Sequence, residues 1–593
     1  MGCAVVSIRW YENRSGGVCM LKQIGIAIVL MFAVSCPTEA QGYDVVIRGG
    51  TIYDGSGGRP FSGDVAVVGD RIAAIAPHIA KRGRSEIGAR GKAVAPGFIN
   101  MLAHPEESLL ADGRGLSDLA QGVTLEVLGE DSMGPLTPKM KADAEKRERD
   151  IKYKIGWTTL GQYMDGLEHR GISPNVARYV GEAMVRANLL GEDDLQPTPA
   201  QLAAMKTLVK RAMEEGAVGL TTALMYAPNA YAKTPELIAL ARVSAACGGI
   251  YAAHIRNESD HVLEAMDESI AIAKASGGPA EIYHFKQGGR DNWGKLDAAI
   301  AKVNAARAQG IRITADMYTY TAAATGLDAA MPPSVQSGGL EKWIARLKIP
   351  AVRAEVAAEM RNPHPKGWDN AYGQAGAGGT LLLAFKNPKL KPLTGKTLAE
   401  VAKMRGQSPE ETAIDLVVED NSRVGVAYFM MSEDNVRREV ALPWMSFDSD
   451  EAAPAPEGVF LLSHPHPRAY GSFARLLGHY VRDEHVLSLA DAIHRLTRFP
   501  ADVLSLKDRG ALKPGSFADV VVFDPAAIAE RATYANPHRL AVGVDDVLVN
   551  GGFALKDGKP TGAHTGRFVH GRAWTGYPNG GCRPSAAAWD WAK

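Results

Sequence analysis

The sequence predicts an α/β fold, parallel strands alternating with helices, enclosed between β-rich chain ends. The clearest observation is a pair of apolar, β-prone runs, 250–257 and 280–287, each carrying a histidine followed by polar residues. A helical pattern from His261 to Ser276, closed by Gly277-Gly278, lies between them, and such a strand–helix–strand unit makes the two strands parallel. Short β runs near both ends supply the second observation. The third is size: 593 residues, 46% hydrophobic and 22% charged, describe a folded globule too long for one ordinary core.

At the N-terminus, Met20-Leu21-Lys22-Gln23 precedes an apolar run over 24–34 and a small-x-small site, Thr38-Glu39-Ala40. Residues 20–40 therefore read as a secretory signal, and residues 1–19 as an upstream start outside the fold. Ala33-Val34-Ser35-Cys36 also resembles a lipoprotein box, which makes Cys36 an alternative lipid anchor. Export, to the periplasm, is the expectation, and nothing after residue 40 reads as a stable membrane span. Of the five cysteines only Cys247 and Cys582 remain beyond the signal, too few for a disulfide framework; Cys247 is expected to be buried and inert. Lys+Arg 66 balance Asp+Glu 66 with no basic stripe, which argues against a nucleic-acid partner.

In chain order, 43–55 reads as two strands around Gly49-Gly50, and 65–67 with 71–75 as a hairpin turning at Gly69-Asp70. These form the first half of a small β domain, 42–95. Its second half, 508–575, carries the β runs 519–524 and 547–552, and 576–593 is a tail. Between them, 96–507 is the α/β region: a strand at 124–128, an amphipathic helix over 199–215, a strand at 218–224, the two histidine strands, and a strand within 311–320. The stretch from about 322 to 441 exceeds one repeat and reads as an insertion at the mouth. The runs 424–430 and 444–448 read as late strands.

His254 and His284 are 30 residues apart, about one repeat, so they fall at the same height on neighbouring strand ends, where α/β barrels place their chemistry and where two imidazoles can share one Zn²⁺. Zinc acidifies a bound water and polarises a bound oxygen.

Ordered motifs then carry a resemblance. The run 44–55, Ala95-Pro96-Gly97-Phe98-Ile99 and the run 510–519 resemble the bookends of the amidohydrolase superfamily. The runs 219–226, 254–258, His284-Phe285-Lys286, 316–320, Ser449-Asp450 and 466–471 narrow it to the N-acyl-D-amino-acid deacylase (D-aminoacylase) branch. The resemblance covers roughly 43–575. It implies a metal-dependent (β/α)₈ TIM-like barrel inserted in a β-sandwich, hydrolysing the acyl amide of N-acyl-D-amino acids or a related small carboxylated amide. It implies Asp450 as the proton-transferring carboxylate, Tyr226 as donor to the developing oxyanion, and Lys286, Arg468 and a tyrosine of the Tyr318/Tyr320 pair as a substrate-carboxylate clamp. Arg256 is left without a role.

Two departures stand out. Relatives carry His-x-His after the Pro-Gly-Phe-Ile strand; here the run is Leu102-Ala103-His104, leaving His104 either a ligand or a structural residue. Relatives also use a cysteine ligand shortly after Gly-Val-Thr. By position Asp131 replaces it, with Glu130 adjacent and Glu126 on the same face if the run is extended. A His₂-carboxylate site remains sound for zinc, and the losses favour one ion per chain. The competing readings are an amidohydrolase for cyclic amides or imides, in which the clamp would be dispensable, and a catalytically degenerate binding paralogue. Oligomeric state is not legible.

Overall fold

The computed structural model describes residues 42–582; the expected signal, the Cys36 anchor and the end of the tail lie outside the described residues. Eight strand positions form the barrel: β1 (Phe98–Ala103), β2 (Val123–Leu128), β3 (Asn175–Arg178, continued by Val180–Gly181), β4 (Gly219–Ala223), β5 (Ile250–His254), β6 (Ala280–Ile282), β7 (Ile313–Met317) and β8 (Met445–Phe447). Every ladder between them is parallel. The ring closes just beyond β8, where the Ser449 amide donates to Asn100 Oδ1 at 2.9 Å and the Asp450 amide to the Leu102 carbonyl at 2.9 Å.

Helices on the outside follow the sequence pattern. Pro199–Glu214 starts at a Thr198/Gln201 capping box with proline in its first turn. It buries Met205, Val209, Ala212 and Met213, one stripe at helical spacing, each large side chain contributing about 1.5–3 kcal/mol.

Both chain ends build one nine-stranded sheet. Val520–Phe523 lies antiparallel against Ala93–Pro96, which pairs in turn with Tyr43–Ile52. Phe61–Val68 and Arg71–Ala76 form the expected hairpin, with Gly69 at φ +57° in its two-residue turn.

Two expectations are corrected. The strand Gly425–Phe429 is no barrel strand: it lies antiparallel between Ala322–Gly326 and Thr380–Ala384 in a separate sheet of the insertion. A short apolar run reads alike in either setting, and only its partners distinguish them. Cys247 is buried but not unpaired; it forms a disulfide with Cys582 across 335 residues. The chain beyond the sheet returns along the barrel, with the Val569 amide on the Val176 carbonyl and the Gly571 amide on the Gly216 carbonyl, and this brings the distant cysteine to Cys247. No helix among the described residues is long and apolar enough to cross a membrane.

Candidate active site

The C-terminal strand ends converge on two carboxylate–histidine groups that share Glu130. His254 ends β5; His284 lies two residues beyond β6 and Glu130 two beyond β2. Glu130 Oε1 is 2.9 Å from His254 Nδ1 and 2.9 Å from His284 Nε2, and the imidazole rings meet edge to face at 4.6 Å. In the second group, His104 Nε2 lies 3.0 Å from Asp450 Oδ1 and 3.8 Å from Glu130 Oε2. Glu130 (φ 59°), His284 (φ 36°) and Asp450 (φ 48°) all occupy the left-handed region. That conformation costs a non-glycine residue of order 1 kcal/mol or more and persists where its surroundings impose it. The surroundings are visible: the Glu130 amide donates to Thr221 Oγ1 at 3.1 Å, the His284 amide to Asp316 Oδ1, and the Asp450 amide to Leu102.

The electrostatics favour a cation. Burial opposes ionisation of Glu130, but His254 and His284 hold its carboxyl well below the usual range. Burial and Lys286 oppose protonation of His284, yet Glu258, Asp450 and Glu130 carry its pKa up to about 10. Burial likewise opposes His104, which Asp450 and Glu130 bring up to about 9. Glu130, His254 and His284 present one oxygen and two nitrogen donors within 4.8 Å of one another, a donor set suited to zinc; His104, Glu130 and Asp450 present one nitrogen and two oxygens.

Around these groups lies a cavity of about 460 Å³ lined by Tyr226, Lys286, Tyr318 and Arg468 among others. Arg468 Nη1 is 2.7 Å from Asp450 Oδ2, its Nη2 donates to the Asp450 carbonyl at 2.6 Å, and its guanidinium lies over the Tyr318 ring at 4.3 Å. Burial would raise the Asp450 pKa, but Arg468, His284 and His104 together hold it below the usual carboxylate range. Tyr226 stands edge-on to His254 at 5.1 Å, and burial lifts its phenol pKa well above the ordinary value, so it remains a donor.

Four sequence-derived candidates sit differently from expectation. Asp131 does not join the histidines: the left-handed turn at Glu130 aims that carboxylate inward, while Asp131 Oδ1 folds back to accept the Ser132 amide at 2.7 Å. Glu126 is fully buried against Asp118, because the extended run ends at Leu128 and the alternation linking it to Glu130 ends there. Tyr320 packs edge-on to His466 at 5.4 Å and, unlike Tyr318, does not line the cavity. Lys286 is no free cation: Glu258 Oε1 lies 2.7 Å from its Nζ, and His284 Nδ1 2.6 Å. Glu258 was visible in its motif but had no assigned role; it neutralises Lys286 beneath His284. Arg256, also without a role, forks onto Glu268 at 2.9 and 3.0 Å and donates to the Ala230 and Ala232 carbonyls, a loop clamp.

The chain is similar to known proteins over most of its length. The amidohydrolase family pattern matches residues 85–554. An N-acyl-D-glutamate deacylase of Alcaligenes xylosoxydans xylosoxydans is 33% identical over 86% of this chain and 93% of its own. A solved D-aminoacylase, described as having a binuclear metal centre with one-metal activation and second-metal attenuation, superposes with TM-score 0.74 at 30% identity, covering 89% of this chain and 100% of that one. An N-acyl-D-glutamate deacylase of Bordetella bronchiseptica, solved with zinc and a phosphonate mimic of the tetrahedral intermediate, superposes with TM-score 0.72 at 32% identity and the same coverage.

Proposed function

Since the chain belongs to the amidohydrolase family, within its N-acyl-D-amino-acid deacylase branch, and is a metal-dependent hydrolase of linear amide bonds, we propose that it cleaves the acyl amide of N-acyl-D-amino acids. The observation that carries this reading is the convergence of Glu130, His254 and His284 beside an ionised Asp450. One zinc ion per chain, held by those three residues, would polarise the scissile carbonyl and acidify the attacking water. Asp450, oriented by Arg468, takes a proton from the water and returns it to the leaving amine. The Tyr226 phenol donates to the oxygen on which charge develops. Arg468 and Tyr318 position the substrate's α-carboxylate, and Lys286 adds positive potential partly offset by Glu258. The preference for the D-series is supported by the relatives' names. Export to the periplasm is supported by the early apolar segment and by the Cys247–Cys582 disulfide, a bond characteristic of oxidising compartments.

A hydrolysis screen of the zinc-loaded protein tests this reading. N-acetyl-D-amino acids should turn over at least 100-fold faster than their L-enantiomers and than cyclic amides such as dihydrouracil. Preferential opening of the ring would replace the proposal with the cyclic-amide activity.

A further inference from the structure

Tyr226 stands on the loop between β4 and the helix Thr234–Ala246, so its phenol is only as well placed as that loop. A donor stabilises developing charge when it lies about 2.7–3.1 Å from the oxygen that carries it, which leaves little room for loop movement. Hydrogen bonds inside the loop make it one unit. The Tyr226 amide donates to the Ala223 carbonyl at 3.0 Å, the Ala230 amide to the Tyr226 carbonyl at 2.8 Å, and the Ala232 amide to the Asn229 carbonyl at 2.9 Å. The buried Asn229 side chain accepts the Ala223 amide at 2.8 Å and donates to Glu182.

Arg256 fastens the far side of this unit. Its Nη1 donates to the Ala230 carbonyl at 3.1 Å and its Nη2 to the Ala232 carbonyl at 3.0 Å, while Nε and Nη2 fork onto Glu268 at 2.9 and 3.0 Å. Glu268 belongs to the helix Val262–Ser276 and also accepts the Thr234 hydroxyl at 2.7 Å. The loop and the start of the helix that follows it are thus tied to the same ion pair. A planar guanidinium with all three nitrogens engaged has one orientation, and a lysine ammonium satisfies only part of such a set.

The place of Arg256 in the chain links this clamp to the metal-binding groups. It follows His254 by two residues; the His254 carbonyl accepts the Leu224 amide at 3.0 Å, and its ring meets that of Tyr226 edge-on at 5.1 Å. One short stretch, 254–256, therefore presents the imidazole and grips the Tyr226 loop at both ends, through Leu224 and through Ala230 and Ala232. On another side the Arg423 guanidinium lies over the Tyr226 ring at 5.0 Å.

We propose that Arg256, held by Glu268, is a positioning residue for the hydrolysis, fixing the Tyr226 phenol relative to His254 and so acting on kcat. This assignment rests on the deacylase reading for its kinetics but not for the placement of Tyr226.

The test measures kcat and KM of the zinc-loaded full chain for the N-acetyl-D-amino acid it hydrolyses fastest, in Arg256→Met, Arg256→Lys, Tyr226→Phe and the Arg256→Met/Tyr226→Phe double variant. Tyr226→Phe should lower kcat by about 10²–10³-fold, the scale of a lost oxyanion donor. Arg256→Met should lower kcat at least tenfold with KM and zinc content within twofold, and Arg256→Lys should recover part of the loss. In the Tyr226→Phe background Arg256→Met should cost less than twofold, because the group it positions is gone. Equal losses in both backgrounds, or an unchanged kcat in Arg256→Met, overturn the assignment. In parallel, the zinc-loaded chain is labelled with 3-fluorotyrosine and the Tyr226 resonance, the one missing in Tyr226→Phe, is followed by fluorine NMR. It should shift and broaden in Arg256→Met; an unmoved signal overturns the assignment. Where no N-acyl-D-amino acid is hydrolysed, the deacylase reading fails and the fluorine signal alone decides. Should Arg256→Met not fold, Glu268→Gln, which loosens the fork while keeping its shape, takes its place in both arms.

Discussion

Buried carboxylates occupy both the mouth of the barrel and its interior, and the two sets are tuned in opposite directions. At the mouth, Glu130, Asp450 and Glu258 are held below the usual carboxylate range, because histidines, Arg468 and Lys286 outweigh burial. Along β6 and β7 and just past β8, Glu281, Asp316 and Asp448 cluster with no guanidinium or ammonium in contact among the described residues, and burial wins: Glu281 is pushed up to about 8 and Asp448 to about 7. Among the described residues, Glu281 accepts from the Thr314 and Ser446 hydroxyls alone. Residue type and burial are shared, so the cation partners decide which acids are ready to hold a metal or move a proton.

The sharpest way to break this contrast is Asp450→Asn. It should lower kcat/KM by about 10³–10⁴-fold, the scale of a lost general acid–base, while zinc content by metal analysis stays unchanged; an unaltered rate removes Asp450 from the chemistry. A smaller effect separates the two groups within the mouth. His254→Ala should weaken zinc binding at least tenfold in competition with a chelator, whereas His104→Ala should keep about one zinc per chain. Equal loss from both would mean that the two groups bind as a unit.

The smallest effect belongs to the interior. Glu281 keeps its proton in the fold up to about pH 8, whereas the unfolded chain loses it near pH 4. Its contribution is therefore complete below about pH 4 and is lost as pH rises through 8. Glu281→Gln should flatten the decline of Tm between pH 5 and 8. A decline as steep as in the parent protein would assign the pH dependence to other groups.

Much of this was legible in the chain. A period of about 30 residues placed His254 and His284 at adjacent strand ends, because each strand–helix unit advances the chain by one barrel position. The β character of both ends, the Gly69-Asp70 turn and the Pro199 helix were equally readable, since each depends on local propensity and pattern. What sequence could not arbitrate was direction. Glu130 and Asp131 are neighbours of the same chemical kind, and a backbone turn at φ 59°, held by Thr221 from another strand, sends one to the histidines and the other to its own loop.

The same limit explains the remaining differences. Whether Gly425–Phe429 joined the barrel depended on which strand lay beside it, and whether Cys247 was free depended on a segment 335 residues away. By itself the sequence determined the element types, the barrel period and the two histidines, because hydrophobic spacing and backbone preference act over a few residues. Tertiary structure alone decided which carboxylate faces them and which buried acids are held ionised, because those depend on charges brought together from strands and loops far apart along the chain.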